Sequence, residues 1–211
     1  MKKIIAIMAL LTFPMTVALA DESWYVSARV GTGILLDAEV DDPTGILAAL
    51  ATEIIYDPGF GFSGAMGYRW NKFRLEGEIA YDINDVDQLE LLGVGLSGSG
   101  DTDSLSFMLN GWRDFPLSGP WSVNAGAGLG FAVVSFNDTS VLGVPLVDDS
   151  DAVFAYQLGV GLGYAITRDA TLTFDYRFFA TIDPEFSSVG GVPFSSEYLL
   201  HRLGVGVRLN F

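Results

Sequence analysis

Two features of this sequence carry the residue types of a catalytic or cofactor site. His201 is the single histidine of the chain, and cysteine is absent. A histidine acts as a general base when a proton donor lies within hydrogen-bonding reach, but no serine stands two residues after His201. Residues 93–98 spell a Gly-x-Gly-x-x-Gly fingerprint for dinucleotides, yet no helix is predicted after them. We therefore predict no enzyme, no cofactor and no metal site in the barrel, with a pair of His201 and a distant acid as the remaining alternative.

Acidic side chains are concentrated in four segments that contain no Lys or Arg. Oxygen clusters such as those at 101–103 and 148–151 suit calcium, so divalent cations at these acidic loops are one interpretation. A solvated rim is the other, because the acid spacing matches no standard calcium loop. The net charge of −15 argues against a nucleic-acid partner. The four segments are residues 37–57, 84–103, 137–151 and 183–196.

The last stretch of the chain alternates between apolar and polar or very small residues. Such a period of two predicts a strand with one apolar face. The opposite face carries Arg202 and Arg208, which a soluble sandwich would not turn towards its core. A strand whose apolar side meets lipid and whose arginine side meets a lumen fits this pattern. The apolar positions are Leu203, Val205, Val207, Leu209 and Phe211.

The same alternation recurs seven more times, which predicts roughly eight strands. The connections between them are alternately short and long, with short ones at 71–72, 115–120 and 167–170. Strands joined in this way predict an all-β fold, a transmembrane antiparallel up-and-down β-barrel of about eight strands. The other predicted strands are residues 23–36, 60–70, 73–82, 105–113, 121–136, 152–166 and 171–178.

Residues 1–20 have the organisation of a signal peptide. Lys2 and Lys3 precede an apolar run, and Ala18-Leu19-Ala20 ends it with the small residues of a cleavage site. We therefore predict a signal peptide over residues 1–20 and one barrel domain over residues 21–211.

The glycine-rich strands resemble those of the OmpA-like outer-membrane β-barrels, the porin-like surface antigens of Gram-negative bacteria. The resemblance is carried by Gly-Ala-Gly-Leu-Gly at 126–130, Gly-Val-Gly-Leu-Gly-Tyr at 159–164, and the strand from Leu172 to Arg177. It implies a bacterial outer-membrane location with the long loops extracellular. It also implies contact with outer-membrane lipid and lipopolysaccharide, and insertion by the barrel assembly machinery. The terminal aromatic Phe211 resembles the C-terminal sorting signal of such barrels.

The inward register of the predicted barrel holds an excess of arginine over acids. In lipid each Arg would cost about 2–4 kcal/mol near the midplane, so these residues belong inside. They are expected to pair and to plug the lumen, because a barrel of about eight strands is only wide enough for side chains. The inward glycines favour the alternative of an open pore, since they leave room. The predicted lumen charge network is Arg29, Arg69, Arg74, Glu76, Glu78, Asp175, Arg177, Arg202 and Arg208.

From these features we expect a small outer-membrane barrel with a structural or surface-exposed role and a lumen plugged by charged side chains. The alternative is a narrow channel for small solutes or hydrophobic compounds, as in the OmpW-like barrels of similar length.

Overall fold

The computed structural model describes residues 22–36, 40–41, 51–91, 94–141, 144–187, 193–196 and 198–211. The predicted signal peptide lies outside the described residues. The described part of the chain contains no helix long and apolar enough to cross a membrane.

The described chain is built from antiparallel strands, as the alternating sequence predicts. They are β1 (Glu22–Leu35), β2 (Val40–Asp41), β3 (Ala51–Tyr56), β4 (Gly59–Trp70), β5 (Phe73–Leu91), β6 (Val94–Pro116), β7 (Trp121–Val141), β8 (Val144–Ala165), β9 (Ala170–Thr181), β10 (Glu185–Ser187), β11 (Pro193–Ser196) and β12 (Leu199–Asn210).

Eight of these strands close into one barrel. The hydrogen-bonded order is β5-β4-β1-β12-β9-β8-β7-β6, and pairing of β5 with β6 completes the circle. The first and last barrel strands meet along eleven residue pairs, from Tyr25 with Asn210 to Leu35 with Leu200. Closure leaves no unpaired edge in the lipid, which a membrane-spanning sheet requires. The predicted all-β, up-and-down barrel is confirmed.

The two ends of the barrel differ in their connections. At the short-turn end, the turns occupy residues 71–72, 117–120 and 166–169. Asn71 has a φ of 57°, the left-handed conformation that a two-residue hairpin turn demands. At the opposite end, which we call the long-hairpin end, β10, β11 and β2 form a separate three-stranded sheet.

The strands extend further than predicted into the long connections over 84–103 and 137–151. The β5–β6 ladder continues to Leu91 paired with Val94, and the β7–β8 ladder continues to Val141 paired with Val144. Register shifts between Asp85 and Gln88, and between Phe136 and Thr139, interrupt them locally. Both faces of such a projecting hairpin can be polar, so the apolar alternation disappears although the backbone pairing continues.

Side chains on the two faces of the barrel wall follow the predicted alternation. The outward face is apolar and exposed, with Phe131 and Leu129 among its most accessible residues. Aromatic rings cluster there at the short-turn end, including Trp24 with Tyr68 at 5.3 Å and Trp121 with Tyr164 at 4.8 Å between ring centroids. Such a collar is typical of a membrane interface.

Candidate functional site: the charged lumen

The centre of the barrel holds four side chains of alternating charge. Arg177 of β9 contacts Glu78 of β5 through Nη1 and donates from Nε to Asp175 at 3.0 Å. Asp175 accepts a second hydrogen bond from Nη1 of Arg29 at 3.1 Å. These side chains are about nine-tenths buried or more. A buried charge is tolerated only with such partners, so the alternation of sign makes this polar interior possible.

A second group of charges lies nearer the short-turn end. Arg74 donates two parallel hydrogen bonds to Asp114, from Nε to Oδ2 at 2.9 Å and from Nη2 to Oδ1 at 3.0 Å. Glu76 accepts from the Tyr25 hydroxyl at 2.6 Å and from the Trp112 indole nitrogen at 2.8 Å. Two-point guanidinium–carboxylate contacts are among the stronger hydrogen bonds in proteins, and the contacts of this group link three strands.

The third charged pair lies towards the long-hairpin end. Arg202 of β12 donates to Asp82 of β5 from Nη2 at 2.6 Å and from Nε at 3.1 Å. Its guanidinium carbon stands 4.0 Å from the ring centroid of Phe179. This pair spans the lumen, because β12 and β5 are separated in the barrel by β1 and β4.

Two side-chain amides, those of Asn110 and Gln157, connect the first two charged groups. Asn110 donates from Nδ2 to both Glu76 and Glu78 at 3.3 Å and accepts from Gln157 at 2.6 Å. Arg208 makes a longer ion pair, with its Nη1 4.0 Å from Oδ1 of Asp114. We call the whole set the charged lumen. It comprises Arg29, Arg74, Glu76, Glu78, Asp82, Asp114, Asp175, Arg177, Arg202 and Arg208.

The structure brings eight of the nine predicted network residues into ion pairs and leaves Arg69 outside them. Arg69 lies in the inward register next to Arg74, and its Nε has no hydrogen-bond partner among the described residues. Sequence reasoning missed the acids Asp82 and Asp114. Asp82 lies in the inward alternation of the predicted strand 73–82, and Asp114 lies one residue beyond the predicted strand 105–113, in the same register as Asn110. With them, six inward arginines face five inward acids, and the predicted excess of positive charge nearly disappears.

Trp112 corrects two expectations. Trp112 stands close in sequence to the short turn at 115–120, where aromatic residues are expected at the membrane interface, but it lies inside the barrel with 4% of its surface exposed. Its ring lies over the inward glycines of two strands: a Cβ on Gly126 would collide with it, and one on Gly159 would stand 2.5 Å from it. The inward glycines therefore do not leave an open lumen here, because a large neighbouring side chain fills the space that they create.

The cavity found among the described charges is small. One cavity of about 40 Å³ lies between Arg29, Glu76, Trp112 and Arg208. A site needs roughly 10–15 Å³ for each water, so this cavity has room for a few water molecules and not for a solute.

The long-hairpin end of the lumen is closed by apolar packing. Phe186, from the segment after β9, is 1% exposed and meets Phe136 edge-to-face at 4.7 Å. Tyr198 packs in the same way on Phe179 at 6.2 Å. We call this cluster the apolar mouth. It comprises Leu35, Met108, Ala132, Val134, Phe136, Ala155, Phe179, Phe186, Tyr198 and Leu200.

The remaining sequence candidates lie outside the lumen. The Nδ1 atom of His201 is 2.7 Å from the hydroxyl of Tyr176 on the outward face, and no described acid pairs with it. Asp101 and Asp103 both accept from Nδ2 of Asn137. No group of three potential metal-binding side chains occurs among the described residues. The 93–98 fingerprint falls partly outside the described residues, and its described portion belongs to β6, a strand.

Comparisons with known proteins give one family and a set of similar folds. The family of outer membrane protein β-barrel domains matches residues 5–211. Neisserial surface protein A is 20% identical with a TM-score of 0.54, covering 90% of this chain and 99% of that chain. OprG from Pseudomonas aeruginosa is 13% identical with a TM-score of 0.56, covering 91% and 99%. The OmpT protease from Escherichia coli is 9% identical with a TM-score of 0.53, covering 93% and 99%. At these identities the similarity establishes the fold alone, and no curated protein sequence matches the chain.

Proposed function

Because the chain belongs to the family of small, OmpA-like outer-membrane β-barrels, we propose that it serves as a structural or surface-exposed barrel whose lumen is closed to ions. One observation carries this proposal. The charged lumen spans the barrel with alternating ion pairs and encloses a cavity of only about 40 Å³. Desolvation and fixed charges of both signs oppose the passage of either a cation or an anion.

Single-channel recording in planar bilayers tests the proposal. We expect little or no steady conductance from the unmodified protein, with brief small openings when an ion pair rearranges. Arg202→Ala frees the carboxylate of Asp82 and removes a guanidinium that fills the lumen, so its openings should become more frequent and favour cations. Arg208→Ala should have a smaller effect, because its ion pair is longer. Arg168→Ala, in a turn outside the lumen, is the control. Large, long-lived openings of the unmodified protein would reject a closed lumen.

The second candidate function is a narrow path for small hydrophobic compounds. The apolar mouth favours it, because an apolar lining several residues deep lies directly above the Arg202–Asp82 pair. Phe186 fills part of that lining from a connecting segment, and its withdrawal would make room for an apolar molecule. Uptake of a small apolar dye into vesicles containing the protein separates the two functions. Faster uptake than in protein-free vesicles, further increased by Phe186→Ala, would favour the path over the closed barrel.

The orientation we propose places the short-turn end in the periplasm and the long hairpins outside the cell. The acidic hairpins would then face lipopolysaccharide and divalent cations at the cell surface. The alternating lengths of the connections support this orientation. Protease treatment of intact cells tests it: cleavage within residues 37–57 or 183–196, with the short turns protected, is the expected result. Cleavage at the short turns alone would reverse the orientation.

Phe211 is proposed as the sorting signal read by the barrel assembly machinery. It continues the outward apolar register of β12, is 43% exposed, and donates its backbone N–H to Trp24 at 2.9 Å. Phe211→Asp should reduce outer-membrane levels and lose the heat-modifiable gel band, whereas Phe211→Tyr keeps the aromatic ring and should behave normally. Unchanged membrane levels of the Asp variant would remove the sorting role.

We propose no catalytic role. The phenol of Tyr176 lies within hydrogen-bonding reach of His201, but the pair is on the outward face of the barrel wall and no described acid orients the imidazole. Hydrolysis of a peptide or ester substrate, abolished by His201→Ala, would show that this conclusion is wrong.

A further inference from the structure

Arg113 is the exception in the distribution of basic residues. Six arginines of the barrel strands point inward, while Lys72 and Arg168 lie in the short turns. Arg113 of β6 lies in the outward register, between Gly111 and Phe115. It is therefore the one Lys or Arg on the lipid-facing side of the eight described barrel strands.

The position of Arg113 is near the membrane interface at the short-turn end. It pairs across the sheet with Phe73, the first residue after the turn at 71–72. Its guanidinium lies 5.4 Å from the Phe73 ring and 5.1 Å from the Phe115 ring, measured to the ring centroids. An outward Arg is tolerated at this depth, because the cost of a lipid-facing charge falls steeply towards the interface.

No carboxylate of the described residues neutralises Arg113. The adjacent acid, Asp114, points into the lumen and is held by Arg74. Arg113 has no ion pair with any carboxylate among the described residues. The two rings hold the guanidinium against the barrel wall and leave its donors free for an anion. Lys72 is the second basic residue beside it, with its backbone oxygen bonded to the Asp114 N–H at 2.8 Å.

The wall on the membrane side of Arg113 has a shallow depression. A Cβ atom added at Gly111 or at Gly77 would meet nothing within 4 Å. The two glycines lie on the adjacent strands β6 and β5, with Leu75 paired to Gly111 and Leu109 paired to Gly77. The depression is open to lipid and is flanked by these two leucines. A hydrocarbon chain could lie there directly beneath a head group at Arg113.

We propose that Arg113, supported by Lys72, binds the phosphate of one anionic phospholipid, whose acyl chain lies over Gly111 and Gly77. Phosphate accepts hydrogen bonds from a planar guanidinium in a two-point geometry, and an anionic head group carries no cation to compete with the arginine. The choice of a phospholipid over a lipid A phosphate rests on the proposed orientation, in which the short-turn end lies in the periplasmic leaflet.

Native mass spectrometry of the refolded full mature chain in detergent tests the site. The probes are phosphatidylglycerol, phosphatidylcholine with the same acyl chains, and lipid A. We compare the unmodified protein with Arg113→Gln, Arg113→Lys and Arg168→Gln. The last variant is the matched control, because it removes the same charge from the same end of the barrel without touching the outward register. The heat-modifiable gel band shows that each variant is folded.

The unmodified protein should retain one phosphatidylglycerol in preference to phosphatidylcholine. Arg113→Gln should weaken that preference by a factor of about ten or more, the factor equivalent to the roughly 1.5 kcal/mol of a hydrogen bond between charged groups. Arg113→Lys should keep part of it, and Arg168→Gln should keep all of it. Equal losses in Arg113→Gln and Arg168→Gln, or no loss in either, would overturn the site. Retention of lipid A in preference to phosphatidylglycerol would overturn the phospholipid assignment. In detergent the barrel has no orientation and carries no current, so these outcomes are independent of whether the lumen conducts.

Discussion

The charged lumen and the apolar mouth fill the interior of the same barrel by different physical means. In the charged lumen, packing depends on direction and partner: Arg177 shares Asp175 with Arg29, but it is the one arginine in ion-pair contact with Glu78 among the described residues. In the apolar mouth, packing depends on the volume that is filled, because the contact between the rings of Phe136 and Phe186 involves no hydrogen-bond donor or acceptor. The stability contributed by the charged lumen should therefore depend on the identity of single donor and acceptor atoms. The stability contributed by the apolar mouth should depend on the volume that its side chains fill.

The change between the two regions takes only two residues along a strand. On β9 the inward register passes from Arg177 to Phe179, and on β12 from Arg202 to Leu200. Arg202 of the charged lumen contacts both regions, because it pairs with Asp82 and also stacks on the ring of Phe179. The apolar cluster shields this pair from water on one side, which strengthens the electrostatic attraction.

The largest expected effect comes from deleting one partner of the central pair. Arg177→Ala would leave Glu78 buried and without its arginine, and breaking a buried ion pair in this way costs about 3–5 kcal/mol. Urea-induced unfolding in lipid vesicles, followed by tryptophan fluorescence, measures the free energy of unfolding. Arg168→Ala, in an exposed turn, is the matched control and should lie close to the unmodified protein. Equal, small losses in both variants would show that Arg177 is not paired in the lumen.

A change of charge at nearly constant shape should have the next largest effect. Glu78→Gln keeps the volume of the side chain and one acceptor for Arg177, but it removes the negative charge. A hydrogen bond to a charged group contributes about 1.5–3 kcal/mol, and we expect a loss of stability in that range. Glu22→Gln is the control, because Glu22 accepts one exposed hydrogen bond, from Tyr68 at 3.0 Å. If Glu78→Gln lowered the free energy of unfolding no more than Glu22→Gln, the charged lumen would not depend on its specific ion pairs, and the distinction between the two regions would fail.

The sequence was sufficient to predict the barrel, because alternation over eight segments allows only one face to meet lipid. It also placed the inward arginines, since an Arg in the lipid-facing register is costly. The partners were harder to predict. Strand pairing in a barrel is tilted, so the contacts of Arg202 with Asp82, 120 residues away, depend on a register that periodicity along one strand does not contain.

The apolar mouth was missed for another reason. Its residues Phe179 and Leu200 lie in the register that the sequence analysis treated as polar, and Phe186 comes from a segment predicted as a loop. Inward apolar residues at one end of a barrel look like irregularities in the alternation until their partners across the lumen are known. The pairing of a connecting segment with that end is a tertiary contact, and nothing in local periodicity indicates it.

The smallest expected effect is a near-volume-conserving change in the apolar mouth. Phe136→Leu keeps an apolar side chain between Phe186 and Val134, and such changes cost less than about 1.5 kcal/mol because the surrounding side chains can repack. Part of that cost is the lost edge-to-face contact with Phe186 at 4.7 Å. The control is Phe131→Leu, on the exposed outward face of the same strand, which loses a similar edge-to-face contact, with Phe154 at 6.0 Å, but where lipid can fill the vacated volume. The comparison of the two regions predicts that Phe136→Leu is milder than Glu78→Gln, although it removes more atoms. If Phe136→Leu were more destabilising than Glu78→Gln in urea unfolding, the packing of the mouth would depend on the shape of its side chains as well as on the volume that they fill.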